Sequence, residues 1–236
     1  KNAILSVPEK ESKAGIISPS LLPRFVVLDG ELTLSLPPAV TATTGLDALA
    51  HALECYLSTK ANELSDVLAI KATRLIHRNI RRAFDTPDDS EARQSMLNAA
   101  FYAGMCITLS GTTAVHALSY PLGAAFHVPH GQANAMLLPP VMRFNAPAWP
   151  EKLWALADAF EVAPSDSVEE RSHGFITALD GLLSYLRIPR KLREFGVAAD
   201  DIPRLVEVGF SIRRLMDNNP KRMTREDMTS IYEEIL

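Results

Sequence analysis

The stretch Thr44-Gly45-Leu46-Asp47-Ala48-Leu49-Ala50-His51-Ala52-Leu53 sets two chemically active side chains in otherwise small and apolar sequence. Asp47 and His51 are four residues apart, so on a helix of about 3.6 residues per turn they project from one face. A helix apolar nearly all round is a buried one, and a buried aspartate or histidine needs a partner to offset its lost hydration. An Asp-x-x-x-His pair alone is more often a surface or hydrogen-bonded pair than a ligand set. A second stretch alters that balance: Thr113-Ala114-Val115-His116-Ala117-Leu118-Ser119-Tyr120-Pro121-Leu122-Gly123, running on to His127-Val128-Pro129-His130-Gly131. His116 again sits in apolar helical sequence, and Pro129 and Gly131 place His130 at or near the start of the next helix. One carboxylate and three imidazoles can therefore converge on a shared divalent cation.

That donor set, without a thiolate, suits Fe(II), Zn(II), Mn(II), Co(II) or Ni(II) rather than calcium or magnesium, which prefer oxygen throughout. His and Asp sets with room for an exogenous oxygen are more typical of catalytic than of structural sites.

Outward from these motifs the chain past Pro38 reads as helix after helix. Thr43 or Thr44 is expected to cap the first, Ser65-Asp66 to open or continue a second, and Asp88-Asp89-Ser90-Glu91 to begin a third. Further apolar-periodic segments run about 112–126, 133–144, 150–160, 168–186, 202–216 and 225–235. The first ~35 residues read differently, with strand-like 3–7, 15–18 and 25–28 separated by polar or proline turns.

The 236 residues are enough for one sizeable core, and 47% hydrophobic content supplies it. A net charge of −4 argues against nucleic acid as the main partner. No apolar run reaches membrane-spanning length, since 135–142 contains Pro139 and Pro140, so no membrane partner is expected. Two cysteines give no disulfide framework, and a reducing, cytoplasmic compartment is the default.

At these motifs, and at Asn134-Ala135-Met136-Leu137-Leu138-Pro139-Pro140-Val141-Met142-Arg143-Phe144-Asn145, the chain resembles the iron-containing alcohol dehydrogenases over nearly its whole length. The resemblance implies a mainly α fold: the helical metal-binding domain of the dehydroquinate-synthase-like, iron alcohol dehydrogenase architecture. It implies Asp47, His51, His116 and His130 as metal ligands, with Fe(II) as the first candidate and Zn(II) the alternative. It further implies NAD or NADP as cofactor, an alcohol or aldehyde substrate, and a homo-oligomer, commonly a dimer.

Two departures stand out. Tyr120 occupies the place of a histidine that many members carry near the nicotinamide or in a proton relay, and packing is as good an account of it. No glycine cluster or G-x-G-x-x-G is present, since the 11 glycines are dispersed. Residues 1–37 are accordingly read as the remnant of a nucleotide-binding domain and 38–236 as the helical domain. The chain, read as part of a longer polypeptide, is expected to bind metal but to turn over no alcohol alone. Strands in 1–37 would lack a sheet to join, which predicts exposed edges or an altered conformation.

Lys13 aligns with a lysine the family uses near the cofactor and equally fits an ordinary surface turn. Ile107 and Leu215 align with apolar substrate-pocket positions, where core packing predicts the same residue types. His127 has two readings, pocket or surface. Cys55 lies about 12 Å along the helix from Asp47, too far to share an ion. Cys106 reads as core, His77 as part of a solvated basic stripe, and His173 receives no role. Alternatives kept open are a glycerol-dehydrogenase-like or dehydroquinate-synthase-like relative and a non-catalytic helical metal-binding or interaction module.

Overall fold

The computed structural model describes residues 2–7 and 12–236. It is mainly helical, with one antiparallel hairpin of β1 (Asn2–Val7) and β2 (Ser12–Ile17), registered from Asn2 opposite Ile17 to Val7 opposite Ser12. The hairpin joins no larger sheet among the described residues, and Ile4, Leu5, Ile16 and Ile17 are exposed. The expected strand at 25–28 does not form, and Phe25 and Val27 stand 89% and 88% exposed. With no neighbour to pair, a β-prone sequence has nothing to hold it in a ladder.

From Pro38 the chain is helical in the expected order: α1 (Pro38–Leu57), α2 (Glu63–Asp85), α3 (Ser90–Leu109), α4 (Ala114–Phe126) and α5 (His130–Asn145). There follow α6 (Pro150–Ala159), α7 (Val168–Tyr185), α8 (Ile202–Ser211), α9 (Arg213–Met216) and α10 (Arg225–Glu234). No helix among the described residues is long and apolar enough to cross a membrane.

The start of α1 departs from the expected threonine cap. Pro38 occupies the first turn, where its missing N–H is no loss, and the helix begins five residues earlier than Thr43. Thr43 and Thr44 lie inside it and donate their hydroxyls back to the carbonyls of Ala39 and Val40. Buried Arg93 of α3 anchors this entry, donating to Thr41 Oγ1 at 2.6 Å, Pro87 O at 3.0 Å and Leu36 O at 3.3 Å. The second helix opens on an Asn62/Ser65 capping box and the third on the Asp89 side chain.

Helix α5 continues through Pro139 and Pro140 although each removes a backbone bond. Its flanking Leu137, Leu138, Val141 and Met142 are all buried, and that packing holds the helix together. The single segment expected over 202–216 is instead two helices, broken at Ile212, whose N–H turns back to the Gly209 carbonyl.

Helix α1 is the axis of the core. It packs on α2, α3 and α5 and touches α4 and α6, and Leu46, Leu49 and Leu53 are fully buried. Helix α4 packs on α5, α8 and α9, and β2 reaches α4. The helices α1, α4 and α5 that carry the two motifs thus meet inside the protein.

Candidate metal centre

Asp47 and His51 project from one face of α1, as their spacing requires. His116 sits in the first turn of α4, and His130 is the first residue of α5, directly after Pro129. Gly131 permits the approach of α5 to α1: a Cβ there would overlap the Thr43 carbonyl and lie 3.4 Å from Asp47 Cβ.

The four side chains converge. Asp47 Oδ1 lies 3.9 Å from His51 Nε2, 3.9 Å from His116 Nε2 and 3.8 Å from His130 Nε2. Asp47, His51 and His116 offer ligand atoms within 4.8 Å of one another. The rings of His51 and His116 stack at 4.8 Å, and His130 meets His116 edge-on at 5.3 Å. Asp47 and His51 keep about a fifth of their side-chain surface (22% each), so the cluster has a mouth, whereas His116 is buried.

Electrostatics follow from that enclosure. Burial pushes the His51 imidazolium down to about 4, against a weaker upward pull from Asp47, so His51 is neutral near pH 7. Burial pushes the Asp47 carboxyl up, but the three imidazoles and an Asn134 hydrogen bond outweigh it and hold the group below its ordinary value. Asp47 is therefore a carboxylate and His51 beside it a neutral imidazole.

Two polar residues complete it that the sequence reading did not single out. Asn134, one turn after His130 and fully buried, places Nδ2 at 2.6 Å from Asp47 Oδ1 and 3.2 Å from Nε2 of both His116 and His130. Its Oδ1 is buried with no hydrogen-bond partner among the described residues. Glu54, seven residues after Asp47, is fully buried on α1 and hydrogen-bonds His116 Nδ1. The signal for both was helical spacing: Asp47, His51 and Glu54 form an i, i+4, i+7 stripe, and His130 and Asn134 an i, i+4 pair.

Tyr120 lies one turn after His116, with its ring 6.3 Å from that of His116 and 6.0 Å from that of His130. Burial raises its phenol, so it remains a proton-bearing donor throughout the neutral range. Arg214 of α9 donates to its hydroxyl at 3.3 Å and sits 5.7 Å from the ring centre. The break at Ile212 sets this arginine on its own short helix.

The other candidate residues do not join this set of contacts among the described residues. Ile107 is half-buried against the main core, and Leu215 is buried within it. His127 is exposed and ends α4 in a left-handed conformation with φ 55°. Lys13 belongs to β2, but its side chain lies outside the described residues.

A sequence profile described as the Fe-containing alcohol dehydrogenase family, C-terminal, matches residues 41–236. The chain is 37% identical over 217 residues to long-chain-alcohol dehydrogenase 1 of Geobacillus thermodenitrificans, which covers 90% of this chain and 54% of that protein. The crystal structure of a 1,3-propanediol oxidoreductase superposes with a TM-score of 0.95 at 34% identity, covering 100% of this chain and 62% of its own. A sulfoacetaldehyde reductase from Bifidobacterium kashiwanohense, solved in complex with NAD+, superposes with a TM-score of 0.88 at 28% identity, covering 99% of this chain and 60% of its own. The chain thus spans between about half and two thirds of the length of these relatives.

Proposed function

The chain belongs to the Fe-containing alcohol dehydrogenase family, and from that premise we propose that it supplies the metal-binding part of an NAD(P)-dependent oxidoreductase interconverting an alcohol with an aldehyde or ketone. Residues 38–236 are the helical metal-binding domain in this reading, and 1–37 the end of a nucleotide-binding domain. The observation that carries it is the convergence of three imidazole Nε2 atoms within 3.8–3.9 Å of one carboxylate oxygen, from three different helices.

The residues fit a divalent ion. Asp47 Oδ1 and the Nε2 atoms of His116 and His130 face one point, where the Asn134 amide donates to Asp47 and lies 3.2 Å from each imidazole nitrogen. Imidazole nitrogens and a single carboxylate gathered around one point are the donor set of a borderline metal with an open position. Fe(II) is the first candidate and Zn(II) the second.

When bound, the ion supplies Lewis acidity at the substrate oxygen and the dinucleotide supplies or accepts the hydride. The protein's own contribution is placement. Asp47, His51, His116 and His130 hold the ion, and the apolar walls of α1 and α4 limit water around it. Tyr120, kept as a phenol and steadied by Arg214, is the hydrogen-bond donor beside the histidines, and it takes the position of proton carrier in this reading. Ile107, Leu215 and His127 are the proposed outer substrate wall, and Lys13 the proposed cofactor contact. The substrate is a small alcohol or aldehyde, and the working assembly a homo-oligomer.

The test is NAD(P)-linked reduction of short aldehydes by the full-length protein and by its Asp47→Ala variant, with metal content measured alongside. Activity and metal lost together support the reading. Metal lost with activity retained contradicts it.

A further inference from the structure

Glu54 is a fully buried carboxylate outside the four-ligand set. Its Oε1 accepts from Thr113 N–H at 2.9 Å, Thr113 Oγ1 at 2.9 Å and His116 N–H at 3.3 Å. Its Oε2 pairs with His116 Nδ1. The side chain of Thr113 makes no cap for its own helix, so a carboxylate from α1 satisfies the first turn of α4 in its place. One residue thus joins the helix bearing Asp47 and His51 to the helix bearing His116.

A carboxylate only accepts, so the His116 ring nitrogen that faces Glu54, Nδ1, carries a proton. The opposite nitrogen agrees independently. Asn134 Nδ2, 3.2 Å from His116 Nε2, only donates, so Nε2 is an acceptor with its lone pair directed toward Asp47. Only an unprotonated imidazole nitrogen binds a metal.

We propose that Glu54 is a positioning residue: it fixes the ring and the Nδ1–H tautomer of His116 so that Nε2 faces the ion, and it adds a second negative charge behind His116. The proposal rests on the metal reading given above. Outer carboxylates of this kind orient ligating histidines and raise their basicity, and their loss weakens metal binding by about 10- to 100-fold.

The substitution Glu54→Gln separates orientation from helix capping. The amide oxygen keeps the Oε1 position, because three donors point at it. The amide nitrogen then faces His116 Nδ1 and donates to it, which moves the ring proton to Nε2, the metal side. A role confined to capping α4 leaves metal affinity unchanged by this substitution.

Two measurements on the full chain decide it. Long-range proton–nitrogen-15 correlation spectra of the chelator-treated wild type, with His116 assigned by its absence in His116→Ala, are expected to give the Nδ1–H tautomer. Competition between chain and chelator for Zn(II) is expected to show Glu54→Gln binding about 10- to 100-fold more weakly, at unchanged helical content. A wild type that binds zinc while His116 carries its proton on Nε2 overturns the positioning role, and so does Glu54→Gln with undiminished affinity. In either case the metal site itself stands. A wild type that takes up no zinc overturns the metal reading along with it. Should Glu54→Gln fail to fold, the wild-type tautomer still decides.

Discussion

The first 37 residues and the 199 that follow obey different physics. In the helical part, α1 is apolar on nearly every side and is enclosed by α2, α3 and α5, so each large side chain contributes area removed from water. In the leading part, Ile4, Leu5, Ile16, Ile17, Phe25 and Val27 remain exposed. That segment is tied down by hydrogen bonds instead: the Gln94 amide accepts from Gly30 N–H at 2.9 Å and donates to Leu28 O at 3.1 Å. The same residue types are therefore buried in one region and exposed among the described residues of the other. Polar side chains such as Glu54, His116 and Asn134 can be buried inside the helical part because its packing holds their positions.

The sharpest contrast between the regions is a pair of truncations. Leu49→Ala, at a fully buried position on α1, is expected to lower unfolding free energy by about 2–5 kcal/mol, whereas Val27→Ala, at 88% exposure, stays within about 0.5 kcal/mol. Urea denaturation of both variants checks this. Equal effects would mean that the leading segment is part of the cooperative core. Close behind comes Gly131→Ala, where the new Cβ meets the Thr43 carbonyl; separating α5 from α1 is expected to cost about 1–3 kcal/mol and to weaken metal binding by displacing His130. Thermal unfolding and chelator competition, run together, test whether stability and affinity fall in step.

A smaller effect is expected from pH. Burial lowers the folded-state value of His51 from 6.5 to about 4, so between these values the unfolded chain binds the proton and the folded chain does not. The contribution of His51 is complete above pH 6.5 and is lost as pH falls toward 4. The Tm of the chelator-treated chain is expected to decline over that window, and His51→Gln to flatten the decline. The smallest change is Tyr120→Phe, which removes a hydroxyl that lies beside the histidines but holds no ion. Metal content by elemental analysis is expected to be unchanged, and loss of the ion would make Tyr120 a ligand.

Much of the helical part was legible because burial leaves periodic traces. The start of α3 at Asp89-Ser90 and that of α5 at Pro129-His130 follow from side-chain capping and from proline. Polar residues stranded in apolar sequence marked Asp47, His51 and His116. The start of α1 differs because both threonines imitate caps, while Pro38 opens the helix and Arg93, 52 residues from the Thr41 it binds, anchors its first turns. Glu54 was passed over although it shares a stripe with Asp47 and His51. Its partners, Thr113 and His116, lie 59 and 62 residues away, and only packing brings them together. The break at Ile212 has no proline at the site, and its one nearby glycine, Gly209, lies three residues earlier within α8, so local sequence did not announce it. The apolar run at 25–28 reads as a strand by composition, but strand formation needs a neighbour that local sequence does not supply.

The central claim is that Asp47, His51, His116 and His130 form one metal site. Its most direct test is elemental analysis of the chain isolated anaerobically without chelator, beside its His116→Ala variant. About one divalent ion per chain, lost in the variant, is the result this account predicts. A wild type without metal even after anaerobic reconstitution, or a variant that keeps its full complement, would contradict it.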